Sequence, residues 1–528
     1  MTKYLLNRIL RSLFSIVIVV AIVMTLVYTC LDRNLVFKDD ANYSKLKSNA
    51  KEVYQMQQWE NYGYVEYIPY TDWLKEKLYI GEIDQDTYDK VSVIGYTSSD
   101  DNKFTKQYME MFKEEMEEEG LQVVRRDADK KGKSKKLTDG GAPRLYAYRD
   151  RPLLARLWDF LSGLVTVDNI HNVDEDADIG ERGLTFTWYD PAYGGEKFSP
   201  AIMGNGTTHR YLLYFTDSFP YIGQNLVNIN LGESYTIKKG IDVFDILTET
   251  QGSYAYSTVT YPSGNVEVSA DDLHSATYVA GSLANGTPVV QRNFIDDYTN
   301  VSTHKAGLSK MGYSFSIGIV ATVLSYLLGI PLGTVMALNK DKLIDKLGTI
   351  YIVFIIAVPS LAYIFLFKSL GGAAGLPTTF DMEHPSTVMY ILPVISLALP
   401  SVASLMKWLR RYMIDQMNSD YVKFARSGGL GEGEIFTKHV LKNAIIPIVH
   451  GIPGSILGAM TGAIITERVY VVPGAGNILT RAINLYDNGV IIGMTMFYAL
   501  LSVVSIILGD VLMSLMDPRI SFTTKKGR

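Results

Sequence analysis

The sequence predicts an α-helical polytopic membrane protein with six transmembrane helices and an α+β extracellular domain inserted between helices 1 and 2. Three observations predict it. Apolar runs at 12–29, 313–338, 350–370, 388–405, 444–465 and 490–512 are each of a length that crosses a bilayer. Between the first two, residues 31–310 contain no such run and mix amphipathic with alternating stretches. Lysine and arginine also gather on alternate loops, which orients the bundle. A hydrophobic content of 47% suits a bundle diluted by a long polar insertion. The net charge of −5 provides no basic surface for nucleic acid, and the single cysteine, Cys30, excludes a disulfide framework or a multi-cysteine metal site.

In chain order, Lys3, Arg8 and Arg11 precede the run 12–29 and place the amino terminus in the cytoplasm. Val27-Tyr28-Thr29 are too bulky for a lipoprotein cleavage site, and Asp32-Arg33 follow at once, so a retained helix is expected, with Cys30 as a buried thiol. The expected divisions are 1–30, the extracellular domain 31–310, helices 2–6 across 311–516, and a cytoplasmic tail 517–528. Within the insertion, 104–119 reads as an amphipathic helix with Phe104, Tyr108, Met111 and Phe112 on one face and Gly120 as its stop. Residues 125–136 are strongly basic and read as a solvated loop. Strands are expected at 184–189 and 211–215, and a hairpin at 254–268 turning at Pro262-Ser263-Gly264-Asn265. The many tyrosines suit either contact surfaces or an aromatic core; cores are commoner.

Among the later segments, loop 339–348 (Lys340, Lys342, Lys346) and loop 407–442 (Arg410, Arg411, Lys423, Arg426, Lys438, Lys442) fall in the cytoplasm, as does the tail with Arg519, Lys525, Lys526 and Arg528. Loop 371–387 has no Lys or Arg, while the external loop 467–489 has two arginines against the trend. Pro331, Pro359, Pro393, Pro400, Pro447 and Pro453 are expected inside helices, as kinks. Gly454, Gly458 and Gly462 recur every four residues beside Ser455, Ala459 and Ala463, a stripe for close helix packing within the bundle or against another chain.

The chain is organised around 421–447. A short surface helix is expected to end near Ser427, to turn at Gly428, Gly429 and Gly431, and to lead into a helix starting around Glu432. Glu432 and Glu434 then meet the positive end of that helix. Ala425, Gly429, Leu430, His439, Leu441, Asn443, Ala444 and Pro447 together resemble the coupling loop of importer-type ABC permeases, in the branch that carries oligopeptides and dipeptides. Lys423 and Ser427-Gly428 depart from that loop's usual residues. Asn230-Leu-Gly-Glu-Ser-Tyr235 with Val243 and Leu247, Glu467-Arg-Val-Tyr-Val-Val-Pro-Gly-Ala-Gly476, Asp510 and Asp517-Pro-Arg-Ile520 are similar to further segments of the same family. The long insertion resembles the subgroup found in Gram-positive bacteria.

The resemblance implies a type I ABC importer architecture and a non-catalytic permease subunit forming half of a peptide path across a bacterial plasma membrane. It implies a homologous second permease, two cytoplasmic ATPase subunits, an extracellular lipid-anchored peptide-binding protein and a peptide substrate. No cofactor is expected on this chain; ATP and Mg would sit on the ATPases. The coupling loop 418–443, with Ala425, Arg426, Gly428, Gly429, Leu430, Glu432, Glu434, His439 and Asn443, would meet them, Ala425, Gly429, Leu430, Glu432 and Glu434 making the ATPase contact. Other chemistry is not supported. Gly132-Lys133-Ser134 lacks the leading glycine of a phosphate loop, which is Asp127. Asp174, Asp176 and Asp178 begin like a calcium loop, but Ile179 and Thr185 stand where Gly and Glu are needed. No His-Glu-x-x-His or Gly-x-Ser-x-Gly occurs, and His439 and His450 read as structural. The competing classes are a membrane-anchored peptide sensor and an ATP-independent channel. A sensor usually carries a sizeable cytoplasmic domain, and none is evident here.

Overall fold

The computed structural model describes residues 2–128, 141–167, 183–189, 227–249, 251 and 308–516 apart from 383 and 385, with strand segments at 198–205, 211–215, 220–221, 257–260, 266–269, 276–278 and 294–296. Helix α1 (Thr2–Cys30) is apolar along most of its length. Ile16, Val20, Met24 and Val27 recur every three or four residues and are buried, whereas Phe14, Ile18, Ile22 and Leu26 point outward. One packed stripe on an otherwise exposed apolar helix is the pattern of a helix bordering lipid. Cys30 is exposed. The expectation of a buried thiol fails because the packed stripe ends at Val27.

Next come α2 (Ala41–Lys45), α3 (Ser48–Asn61), β1 (Val65–Pro69), α4 (Tyr70–Tyr79), α5 (Gln85–Val91), α6 (Lys103–Glu118), β2 (Gln122–Arg126) and β3 (Arg144–Asp150). The strands form an antiparallel sheet in the order β1-β3-β2. Because side chains alternate across a strand, Leu145 and Ala147 join Tyr70, Trp73, Leu74, Phe112 and Met116 on one face. Tyr146 and Tyr148 join Trp59, Tyr62, Tyr64 and Tyr67 on the other. The tyrosines of this part therefore build core. Helix α6 starts where Asn102 Oδ1 accepts from Thr105 N (2.6 Å) and stops before Gly120 at φ +81°. Its buried stripe is Thr105, Phe112 and Met116, while Phe104 and Met111 are exposed. The face expected from the sequence is thus rotated, because the strongest apolar residues at the helix start cap Tyr108 from outside instead of entering the core.

Helix α7 (Leu153–Gly163) leads into β4 (Val165–Val167). A four-stranded antiparallel sheet follows, built of β5 (Gly183–Tyr189), β6 (Phe198–Asn205), β7 (Tyr211–Phe215) and β8 (Pro220–Tyr221) in sequential order. Strand β9 (Val227–Ile229) returns to pair with β4, and α8 (Val243–Thr248) follows. In the expected hairpin, β10 (Ser257–Thr260) pairs antiparallel with β11 (Val266–Ser269). Its turn residues, residues 129–136 with Gly132-Lys133-Ser134, the Asp174–Asp178 stretch, and 517–528 lie outside the described residues.

The remaining helices are α9 (Lys310–Leu338), α10 (Leu343–Ala357), α11 (Ser360–Ala373), α12 (Ile391–Met417), α13 (Asp420–Ser427), α14 (Glu432–Glu434), α15 (Lys442–His450), α16 (Ile452–Tyr470), α17 (Gly476–Asn484) and α18 (Asn488–Met516). Among the described residues, four segments are long and apolar enough to cross a membrane: α1, α9, the stretch ending in α12, and α18. Two bent pairs bring the number to six if each counts as one span. The stretch from Glu432 to His450 meets α16 at 43°, and α10 meets α11 at 109°. The single span expected at 350–370 is therefore broken. Val358 is extended, as a residue before proline prefers, and Pro359 (φ −56°, ψ 136°) caps α11. Pro331, Pro400 and Pro447 do sit inside helices. Pro359, Pro393 and Pro453 instead stand at helix starts, where the missing N–H has no partner to lose.

Close helix packing falls on a second pair of glycines at four-residue spacing, Gly329 and Gly333. A Cβ on Gly329 would lie 2.8 Å from Leu405 Cβ, and one on Gly333 would lie 3.1 Å from Met406 Cα, so these glycines let α9 approach α12. The stripe on α16 behaves differently: a Cβ on Gly458 meets nothing within 4 Å, and one on Gly454 meets only Ser505 Oγ at 4.0 Å.

Two buried carboxylates tie loops to helices. Asp487, fully buried, accepts from the backbone N–H groups of Tyr235 (2.9 Å), Thr236 (2.8 Å) and Ile237 (3.0 Å) and from the hydroxyls of Ser234 and Thr236. This fastens the segment after β9 to the start of α18. Glu467 likewise accepts from Ser314 Oγ (2.6 Å) and Gly476 N (3.0 Å), joining α9, α16 and α17.

Candidate functional site

The loop between α12 and α15 folds into two short helical arms around a turn. Helix α13 ends in a complete glycine stop. Gly429 has φ +82°, its N–H donates to Arg426 O (3.1 Å), and Leu430 N–H donates to Ala425 O (3.3 Å). That pattern satisfies the last carbonyls and needs a left-handed residue at one position only. Gly428 and Gly431 adopt ordinary backbone angles, so a single glycine makes the turn rather than three.

The turn is braced from outside by Arg426, whose guanidinium donates to both Glu432 oxygens (2.5 and 3.0 Å) and is held above its usual basicity by them. Lys438 Nζ donates to Glu434 (2.8 Å) along the next stretch. At the start of α13, the Lys423 ammonium lies 2.9 Å from Asp420 and holds that carboxyl below its usual range. From inside, the helix is pinned by Val422. It is buried with Ile435, Val440, Leu409, Met413, Ala337 and Ala444. Residues Ile435–Leu441 wind as a π-helix instead of continuing the α-helix expected from Glu432. Such windings are uncommon and frequent at functional sites.

Tyr421 stitches the two arms together. Its hydroxyl lies 2.6 Å from Gln416 Oε1 and 3.3 Å from His439 O, and accepts from Asn443 Nδ2 (3.0 Å). The arms enclose an open cavity of about 610 Å³ lined by Asp420, Tyr421, Phe424, Ala425, His439 and Asn443. Of the residues singled out from sequence, Ala425, His439 and Asn443 meet in this cavity. Gly428, Gly429 and Leu430 form its adjoining turn, and Arg426, Glu432 and Glu434 make the flanking ion pairs. Sequence reasoning missed Tyr421 and Phe424. Phe424 is 82% exposed, whereas Val422 two residues earlier on the same helix is buried. An apolar side chain two residues out of phase with the buried one was the available signal.

Helices long and apolar enough to cross a membrane, joined by a loop that holds an aromatic ring outward beside a cavity, fit the class of membrane-embedded proteins. Residues 329–522 match the family described as binding-protein-dependent transport system inner membrane component. Over 533 aligned residues, covering 100% of both chains, the protein is 33% identical to the oligopeptide transport system permease protein AmiC of Streptococcus pneumoniae. It is also 28% identical over 212 residues to the dipeptide transport system permease protein DppB of Bacillus subtilis, 40% of this chain and 68% of that one. A similar protein of Lactococcus lactis, also named DppB, is 31% identical over 225 residues. The chain belongs to the family of binding-protein-dependent transport system inner membrane components, the permeases of ABC importers, and is a multi-pass membrane protein of type I importer fold.

Proposed function

We propose that the protein is the transmembrane permease subunit of an ATP-driven peptide importer, forming half of the translocation path. It pairs with a homologous permease, and two cytoplasmic ATPases, which carry ATP and Mg, dock on 418–443. An extracellular lipid-anchored binding protein delivers the peptide. The termini lie in the cytoplasm, and residues 31–310 lie outside as the extracellular domain preceding helices 2–6 of 311–516. The chain itself carries out no chemistry; it passes force. The names of its relatives AmiC and DppB support the peptide substrate.

The observation that carries the coupling role is the exposed Phe424 ring on a helix locked at both ends, beside a cavity a partner can fill. A rigid element of this kind transmits a displacement without bending, which a two-state coupling requires. Phe424→Asp should leave the protein in the membrane, remove the ATPases from the purified complex and abolish peptide uptake. Normal co-purification and uptake in that variant would refute the assignment.

A further inference from the structure

A second cavity, of about 450 Å³, lies far along the chain from the coupling segment, where α1, α7 and α18 meet the tyrosine-rich core; its walls include Met24, Tyr28, Tyr62, Arg156, Glu233 and Ile492. Arg156 is its unusual member. The guanidinium stands 4.5 Å from the ring centre of Tyr28 and 4.4 Å from that of Tyr64. Its Nε is buried with no hydrogen-bond partner. Among the described residues no carboxylate pairs with it, since the nearby Asp159 is taken by Arg151 at 2.5 Å. Burial drives the basicity of Arg156 down, which is the signature of a cation without a counter-ion. Glu233 also lines the wall, and no ion pair joins it to Arg156 among the described residues.

The element carrying Arg156 also shows what lies beside it. One side of α7 (Leu153, Leu157, Phe160) packs with Val23, Val27 and Tyr28 of the last turns of α1. Its other side holds Leu154, 78% exposed, and Trp158, 71% exposed, one helical turn apart. Val165 and Val167 of β4, which follows α7 in the chain, are exposed too, as are Ile22 and Leu26 of α1. Tryptophan is enriched where hydrocarbon gives way to headgroups.

We propose that the cavity binds the phosphate of a phospholipid headgroup at Arg156, with α7 lying in the headgroup layer around the end of α1. A guanidinium pairs with a phosphate through two charge-assisted bonds, and basic pockets between spanning helices hold anionic headgroups. Met24 and Ile492 give the acyl end of the same molecule an apolar wall. The site does not depend on which side of the membrane this end of α1 faces, nor on the coupling role.

The full chain, purified in detergent, should be titrated with phosphatidylglycerol and analysed by intact mass spectrometry, beside diacylglycerol and inorganic phosphate as separate probes. The expected result is retained phosphatidylglycerol, at least tenfold less of it on Arg156→Gln, and substantial recovery on Arg156→Lys. Equal retention of diacylglycerol would overturn the proposal, as would unchanged binding to Arg156→Gln. Retention of inorganic phosphate but not of the lipid would make the ligand a free anion and overturn the lipid assignment. Should Arg156→Gln fail to fold, a cryo-electron microscopy map of the unaltered chain in phosphatidylglycerol nanodiscs decides. Phosphate density within hydrogen-bond reach of Arg156 supports the site, and a cavity without it refutes it.

Discussion

A carboxylate shut away from water must find donors, and Asp487 finds them all on residues 234–237 and the start of its own helix. Bonds to a charged acceptor contribute roughly 1.5–3 kcal/mol each, and donors left buried without one are costly. Asp487→Ala should therefore destabilise the protein by at least about 3 kcal/mol, read as a lowered thermal unfolding midpoint in detergent. Asp487→Asn, which keeps one acceptor oxygen, should lose less. At Phe424 the cost falls on assembly instead of folding. Exposed aromatic anchors that fill partner pockets carry about 2 kcal/mol or more of binding. Phe424→Ala should thus weaken ATPase binding by about thirtyfold with the unfolding midpoint unchanged, as a binding titration on purified subunits would show. Asp487 was not legible in the sequence, and Phe424 only weakly, through its phase relative to Val422. An aspartate in a loop looks alike whether solvated or buried, and Phe424 is one of 20 phenylalanines in an apolar chain.

For the short elements, backbone chemistry was readable and context was not. The end of α13 near Ser427 follows from its glycines, yet only Gly429 uses a left-handed angle. Gly429→Ala should cost about 1–2 kcal/mol of local stability. Gly428→Ala, whose Cβ would approach the carbonyls of Ala425 and Phe424 at no less than 3.4 Å, should be nearly neutral. Hydrogen exchange across 420–435 would separate the two. In the sheet region, Arg126 donates to both Glu52 oxygens and Tyr146 adds a bond of 2.6 Å. Burial alone would raise the Glu52 carboxyl, but these bonds outweigh it and hold it below its usual value. Its stabilising effect is therefore present above about pH 4.3 and fades as pH falls through the lower folded value. The stability gap between the natural chain and Glu52→Gln should be constant near neutrality and close in acid; a gap that widens in acid would contradict the pairing. The rotated face of α6 and the break at Pro359 escaped sequence reasoning because apolar periodicity reports that a helix is amphipathic or long. It does not say which neighbour it meets.

On the scale of the whole molecule, sidedness can be tested with one atom. Cys30 is the sole cysteine and is exposed where α1 ends. A membrane-impermeant maleimide should label it on intact cells, whereas a Cys30→Ser, Lys342→Cys chain should be labelled only after permeabilisation. The opposite pattern would invert the proposed topology. Residue order alone carried what local chemistry dictates: six apolar runs, a mix of helix and strand signals between the first two, the glycine stop of α13, and the residues that relate the chain to importer permeases. Only tertiary contacts settle that one run folds as two helices at 109°, that Gly329 and Gly333 pack closely while the equally spaced Gly454 and Gly458 do not, and that Tyr421, Phe424, Ala425, His439 and Asn443 surround one cavity. The physical reason is range. Helix stops, periodicity and hydropathy act over a few neighbouring residues. Burial, unpaired charge and close approach depend on atoms brought together from hundreds of residues apart.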